Sequence, residues 1–173
     1  GILDRSGGLT RTNGLSHEEV TSLFNSRQTK MFNGFALNPN INTDFWQEQA
    51  DVFIPAAASR LVTADQLSSL IGNGIQVVAC GANVPFADTE IFMGPISQTA
   101  DAKTSLIPDF ISNCGMARVF AHMMSSPSDV SDESIFTDVA KTIHTALDEV
   151  HKINNGMTGI TASAYEIALK QLI

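Results

Sequence analysis

Three short apolar segments, separated by helical patterns, constrain the fold of this 173-residue chain more than any other feature. Residues 51–54 and 76–79 lack polar alternation, which predicts strands that are covered on both faces. Residues 105–108 predict a third strand. Between the first two segments, Thr63 and Gln66 form a capping box that begins a helix.

A second helix is predicted from residue 109 or 110 to 124, directly after the third strand. Alternating strands and helices are typical of a parallel α/β sheet, here of about three to four strands with helices on both faces. Right-handed crossovers would bring the loops after all three strands to one carboxyl edge. Ligands of such sheets bind at that edge.

The amino-terminal segment, up to about residue 43, predicts short elements joined by turns. Ser16 and Glu19 form a capping box for a helix over 17–26. The predicted apolar face of this helix consists of Val20, Leu23 and Phe24. Residues 34–40 predict a loop, or at most one short strand.

From Ser131 onward the chain is predicted to be helical. One apolar stripe at helical spacing consists of Ile135, Val139, Ile143, Leu147 and Val150. Residues 154–156 end this helix, and Thr161 is predicted to cap a last one. The inward side chains of the last helix are predicted to be Tyr165, Ala168, Leu169 and Leu172.

The charge of the chain argues against several classes of partner. Ten Lys and Arg residues against eighteen Asp and Glu residues give a net charge of −8. Nucleic acids and anionic membranes attract clustered basic residues, which this sequence lacks, so neither is predicted as a partner. No apolar run approaches the roughly 18 residues of a membrane span. Cys80 and Cys114 form neither a CxxC pair nor a zinc spacing, which favours a reduced, cytoplasmic protein.

Familiar catalytic and phosphate-binding motifs are absent from the sequence. No GxGxxG turn follows a predicted strand, and residues 72–74 (Gly-Asn-Gly) end a helix instead. No metal-binding or nucleophile motif surrounds the candidate side chains, which are His17, His122, His144, His151, Ser59, Ser112, Cys80 and Cys114. We interpret the histidines as surface or helix-packing residues and the cysteines as small buried residues.

Two asparagines follow predicted strands and are candidate ligand-binding residues. Asn83 comes after the second strand, and Asn113 lies shortly after the third. Their amides can offer both a donor and an acceptor to a carboxamide or carboxylate, but asparagine also caps turns well, and both interpretations stay open. Small neighbours that would let a flat ring approach the backbone are Ala56, Ala57, Gly81, Ala82 and Gly115.

Three motifs lie in register along the chain: IPAA at 54–57, GAN at 81–83 and PDFISNCG at 108–115. In order and spacing they resemble the IPAA, GAN and PDxxxNAGG motifs in the cofactor domain of the glutamate/leucine/phenylalanine/valine dehydrogenases. Residues 1–4 and the closing helix at 162–168 also resemble that family, so the resemblance covers essentially the whole chain.

Enzymes of that family convert an L-amino acid reversibly to a 2-oxo acid and ammonia with NAD or NADP. The resemblance implies a partial Rossmann-like NAD(P)-binding domain over 1–130 without its first strands and GxGxxG turn, and carboxyl-terminal helices over 131–173. The implied cofactor-binding residues are Ala56, Ala57, Gly81, Ala82, Asn83 and Asn113. Asn113 is also expected to contact the substrate, and the complete enzyme is expected to be a homo-oligomer.

Two departures from the family pattern accompany this resemblance. Cys114-Gly115-Met116 replaces Ala-Gly-Gly, and residues 88–106 differ from the usual acidic helix. Since no residue here matches the family's catalytic Lys and Asp or its pyrophosphate-binding turn, we expect an inactive fragment of such an enzyme. The alternatives are a non-catalytic assembly module that uses an exposed strand edge, and a free-standing α/β protein with an unrelated ligand.

Overall fold

A computed structural model describes residues 1–5, 7–26, 32, 35, 40–125 and 129–171. The predictions for Leu172 and for most of residues 34–40 lie outside this part of the chain. In chain order the elements are β1 (Ile2–Asp4), β2 (Gly7–Leu9), α1 (His17–Ser26), α2 (Ile41–Asp44) with a following 3-10 turn (Phe45–Gln47), β3 (Val52–Phe53), α3 (Ala64–Gly72), β4 (Val77–Ala79), α4 (Pro95–Lys103), β5 (Ser105–Ile107), α5 (Asp109–Ser112), α6 (Gly115–Met124), α7 (Asp132–Ile153) and α8 (Ile160–Lys170).

The three predicted strands form a parallel sheet in the order β3-β4-β5. Phe53 pairs with Val78, and Val78 pairs with Leu106, so these side chains point to the same face. On that face they join Leu67 and Leu70 of α3 in the main core. The predicted parallel α/β architecture is therefore confirmed.

The opposite face of the sheet is covered at β5 and open at β3. Beside β5, Ile107 packs with Ile111 of α5 and Ala164 of α8. At the other end of the sheet, Val52 and the adjoining Ile54 are 50% and 61% exposed. The prediction that β3 is covered on both faces is wrong, because the helices on this side pack over β5.

The helix predicted over 109–124 is divided into α5 and α6. Asn113, with φ −113° and ψ 25°, leaves the helical region. Just before it, the Ser112 hydroxyl donates to the carbonyl oxygens of Cys80 at 2.7 Å and Pro108 at 3.0 Å. Polar side chains bonded to nearby backbone in this way compete with a continuous helix. The single helix predicted here is therefore wrong at Asn113 and Cys114.

The first two strands form an antiparallel hairpin that the sequence did not predict. Ile2 pairs with Leu9, and Asp4 pairs with Gly7. A Cβ atom added to Gly8 would lie 2.3 Å from Cγ1 of Ile41, so the close packing of the hairpin on α2 requires glycine there.

Helix α1 has the predicted bounds and the predicted capping box. The Glu19 N–H donates to the Ser16 hydroxyl at 3.1 Å, and the Ser16 N–H donates to the Glu19 carboxylate at 2.9 Å. Of the predicted apolar face only Leu23 is buried, while Val20 and Phe24 are exposed. The amino-terminal core that receives Leu23 is too small to cover the whole face.

Helix α7 begins after Ser131 as predicted, and the Ser134 N–H donates to the Ser131 hydroxyl at 3.2 Å. Val150, the last residue of its apolar stripe, is buried.

No helix in the described part of the chain is both long enough and apolar enough to cross a membrane.

Helix α8 is capped by Asp101 of α4, not by Thr161 as predicted. The Asp101 carboxylate accepts from the N–H of Thr161 at 2.8 Å and from the N–H of Ala162 at 3.1 Å. The Thr161 hydroxyl instead donates to the carbonyl oxygen of Leu106 at 2.7 Å, which ties α8 to β5. Leu169, predicted to point inward, is exposed, because the buried face of α8 is rotated toward Thr161.

Candidate functional site

The loops that follow β3, β4 and β5 lie together at the carboxyl edge of the sheet. The Ala82 N–H donates to the carbonyl oxygen of Pro55 at 2.8 Å, which joins the first two loops. The Cys80 N–H donates to the carbonyl oxygen of Ile107 at 3.1 Å, and the Ser112 hydroxyl donates back to Cys80. Hydrogen bonds therefore connect all three loops into one surface.

The two candidate asparagines meet on this surface. Nδ2 of Asn113 donates to Oδ1 of Asn83 at 2.8 Å, and both residues are exposed. This bond leaves Nδ2 of Asn83 as a donor and Oδ1 of Asn113 as an acceptor for another molecule. The side chains bond to each other across 30 residues of sequence.

The small residues around the asparagine pair differ in how far they reach the surface. Ala56 and Ala57 are exposed, Gly81 is half-buried, and Ala82 is 8% exposed. A Cβ atom added to Gly81 would lie 3.0 Å from the Cβ atom of Ala56, so the first two loops approach closely at this point. The buried methyl group of Ala82 supports this surface from below and offers little contact area of its own.

One residue at this edge was not among the predicted site residues. The Asp109 carboxylate accepts from the Val84 N–H at 2.8 Å and from the Phe110 N–H at 2.9 Å. It thereby joins the loop after β4 to the start of α5. The only sequence signal for this role was an acidic residue directly after the proline that ends the third strand.

Burial and the charge of Asp109 set the ionisation of two groups near this edge. Burial, with a smaller effect of Asp109, raises the pKa of the Cys80 thiol to about 12. Burial also raises the pKa of Tyr165, whose ring lies 4.9 Å from that of Phe110, with smaller contributions from Asp109 and Cys80. The edge therefore presents a protonated thiol at Cys80 rather than a thiolate nucleophile. Cys80 is the small buried cysteine that was predicted, whereas Cys114 is only half-buried.

Two of the candidate histidines lie close to carboxylates. His144 lies 2.9 Å from the Asp148 carboxylate on the exposed surface of α7. The Asp138 carboxylate of α7 accepts from Arg118 of α6, and His122 of α6 lies 3.8 Å from the same carboxylate. In the described part of the chain, no group of three His, Cys, Asp or Glu side chains is arranged to hold a metal ion.

Comparison with known proteins relates the chain to one family. The model of the Glutamate/Leucine/Phenylalanine/Valine dehydrogenase family matches residues 1–173. An NADP-specific glutamate dehydrogenase from Haemophilus influenzae is 31% identical over 88 residues, which are 47% of this chain and 20% of that protein.

Solved glutamate dehydrogenases share the fold. The Plasmodium falciparum glutamate dehydrogenase has a TM-score of 0.62 and 18% identity, with coverage of 88% of this chain and 34% of that one. A second solved structure, Plasmodium falciparum glutamate dehydrogenase 2, has a TM-score of 0.60 and 17% identity, with coverage of 88% and 35%. The chain thus spans about a third of these structures. With the family match along its whole length, the chain belongs to the glutamate/leucine/phenylalanine/valine dehydrogenase family.

Proposed function

We propose that the chain is the cofactor-domain part of an NAD(P)-dependent amino acid dehydrogenase. In this proposal Asn83 and Asn113 hold the reacting end of the dinucleotide beside an L-amino acid or its 2-oxo acid. The supporting observation is the 2.8 Å hydrogen bond between the two amides at the carboxyl edge of a parallel sheet, in a chain of this family.

The residues at this edge suit a flat ring that carries a carboxamide. The free donor of Asn83 and the free acceptor of Asn113 complement the oxygen and the amino group of a carboxamide. The small side chains of Ala56 and Ala57 allow a ring to lie against the backbone, and at Gly81 the absence of a side chain lets the first two loops approach closely.

The chemistry divides between the cofactor and the protein. The bound nicotinamide supplies the redox step, the transfer of hydride from Cα of the amino acid. Asn83 orients the carboxamide through its donor, and Asn113 accepts a hydrogen bond from the carboxamide amino group or from the amino group of the substrate. Both remain neutral, so they fix geometry without transferring protons. The family's catalytic Lys and Asp are not assigned to any residue of this chain.

We also propose that this segment acts within a longer chain and binds a dinucleotide weakly by itself. No GxGxxG turn occurs in the 173 residues, so the pyrophosphate lacks its usual contact at a helix amino terminus. The small share of the relatives that it spans, 20% of one enzyme and 34% of another, supports this proposal. Assembly of the complete enzyme as a homo-oligomer stays a prediction.

The first test is a titration of the ¹⁵N-labelled 173-residue protein with NADH and with NADPH, followed by NMR. We expect shifts at Asn83, Asn113 and their neighbours, with a dissociation constant above ~1 mM. Asn83→Ala and Asn113→Ala should abolish the shifts, whereas Asn155→Ala, at an exposed position between α7 and α8, should not. Shifts elsewhere only, or none, would count against the site. Binding in the low micromolar range would count against the need for a longer chain.

A second candidate function is that of an assembly module, and the open side of β3 favours it. β3 ends the strand order, and Val52 and Ile54 beside it are exposed. An apolar edge strand of this kind can pair with another chain. If assembly is the function, light scattering should detect oligomers that Val52→Lys disrupts, while neither NADH nor NADPH shifts any resonance.

A further inference from the structure

Asp109 contacts the backbone next to one asparagine of the pair and lies on the short helix that ends at the other. Its Oδ2 accepts from the Val84 N–H at 2.8 Å, and this N–H belongs to the peptide that follows Asn83. Helix α5 begins at Asp109, and Asn113 directly follows its last residue. One carboxylate therefore connects the two segments that present the amides.

The peptide that Asp109 holds has an unfavourable conformation. Val84 has φ +45°, a region that β-branched residues rarely occupy. Its N–H is bonded to Asp109, and its carbonyl oxygen accepts from the Arg60 N–H at 2.8 Å. Hydrogen bonds with the start of α5 and with the loop after β3 thus hold this turn. Without them the chain would relax toward negative φ and rotate the preceding Asn83.

We propose that Asp109 is a positioning residue, which fixes the peptide between Asn83 and Val84 so that the Asn83 amide stays within reach of Asn113. The catalytic meaning of this role rests on the proposed function, since the amide pair serves catalysis only if the cofactor binds there. The structural part of the inference, that the carboxylate holds the pair together, can be tested without any cofactor.

A carboxylate suits this position because both of its oxygens are used. Oδ2 accepts from Val84 at 2.8 Å and Oδ1 from Phe110 at 2.9 Å. Asparagine has an NH2 group in place of one of these oxygens, and that group cannot accept from the N–H that faces it. The bonds to a charged acceptor are also stronger than those to a neutral amide. Asp109→Asn is therefore a small change in shape and a large change in hydrogen bonding.

The test measures solvent exchange of the Asn113 side-chain amide by NMR in the unmutated protein, in Asp109→Asn and in Asp132→Asn. Asp132 is a matched control, because it is also the first residue of a helix but lies on the exposed start of α7. We expect exchange at least roughly tenfold faster in Asp109→Asn, since a hydrogen bond to a charged group is lost, and no change in Asp132→Asn. Unchanged exchange in Asp109→Asn would overturn the proposal.

A measurement on the unmutated protein covers the case in which Asp109→Asn does not fold. Scalar coupling across the hydrogen bond, from the Val84 nitrogen to the Asp109 carboxyl carbon, should be detected, and its absence would also overturn the proposal.

The NADH titration separates this inference from the proposed function. Faster exchange in Asp109→Asn without NADH-induced shifts in the unmutated protein leaves the positioning role standing and removes the cofactor site. NADH-induced shifts at Asn83 and Asn113 together with unchanged exchange in Asp109→Asn would support the cofactor site and overturn the positioning role.

Discussion

Residues at the carboxyl edge of the sheet differ in solvent exposure, and the exposure of each side chain determines its chemistry. Asn83 and Asn113 are exposed, whereas Cys80, at the end of the central strand, is 2% exposed. The exposed amides can exchange their bonds with water for bonds to a ligand. The buried thiol is protonated because burial and the nearby Asp109 disfavour the thiolate.

This difference predicts selective alkylation of the two cysteines. With a pKa raised to about 12, Cys80 should resist iodoacetamide at roughly pH 8, because the thiolate is the reactive form. Half-buried Cys114 should react first. Mass spectrometry of the native protein should therefore find one modification, which Cys114→Ser removes and Cys80→Ser leaves in place. Equal labelling of both cysteines in the folded protein would contradict this prediction.

At the scale of elements, one buried carboxylate caps the start of α8. Asp101 is 3% exposed and accepts from two N–H groups at the start of α8, the first of them 60 residues further along the chain. Asp101→Ala should lower the free energy of unfolding by about 1–3 kcal/mol, because those N–H groups lose their partner in a buried place. Urea denaturation measures this change.

The control for this variant is Asp65→Ala. Asp65 also lies near the start of a helix, in the first turn of α3, but it is exposed. Its removal should change the free energy of unfolding by no more than about 0.5 kcal/mol. If the two variants lost the same stability, the charge near a helix start and not the buried cap would explain the effect.

The contact between α6 and α7 predicts a dependence of stability on pH. Hydrogen bonds from the Arg118 guanidinium lower the pKa of Asp138 from its ordinary 3.8, and His122 and Lys141 act in the same direction. A carboxyl group whose pKa is lower in the folded state contributes stability above pH 3.8, which is lost as pH falls through the folded value. Asp138→Asn should therefore lower the melting temperature at neutral pH, and the difference should shrink at pH values well below 3.8. A difference that is independent of pH would contradict this account.

Elements could be predicted where their signals are local. The capping boxes of Ser16 and Thr63 each lie within four residues of sequence, and both are present as predicted. The cap of α8 was assigned to Thr161 because its true partner, Asp101, lies 60 residues away. The candidate site follows the same rule. The sequence placed Asn83 after the second strand and Asn113 shortly after the third, but it could not indicate the bond between them or the contact from Asp109 to Val84.

At the scale of the whole molecule, the two faces of the sheet are unequal. One face carries the main core with Phe53, Val78 and Leu106, while the other is covered only toward β5. The apolar run at 51–54 predicted burial on both faces of the strand. This was wrong because the sequence of a strand alone does not show which helices pack on each of its faces.

Two adjacent residues of β3 test this asymmetry directly. Phe53 is 9% exposed in the main core, so Phe53→Ala should cost about 3–5 kcal/mol of unfolding free energy. Val52 points to the other face and is 50% exposed, so Val52→Thr, which keeps the β-branch, should cost less than about 1 kcal/mol. Urea denaturation at low protein concentration measures both. If Val52→Thr lowers the free energy of unfolding nearly as much as Phe53→Ala, the open face is covered in solution. If that loss also depends on protein concentration, the covering molecule is a second copy of the chain.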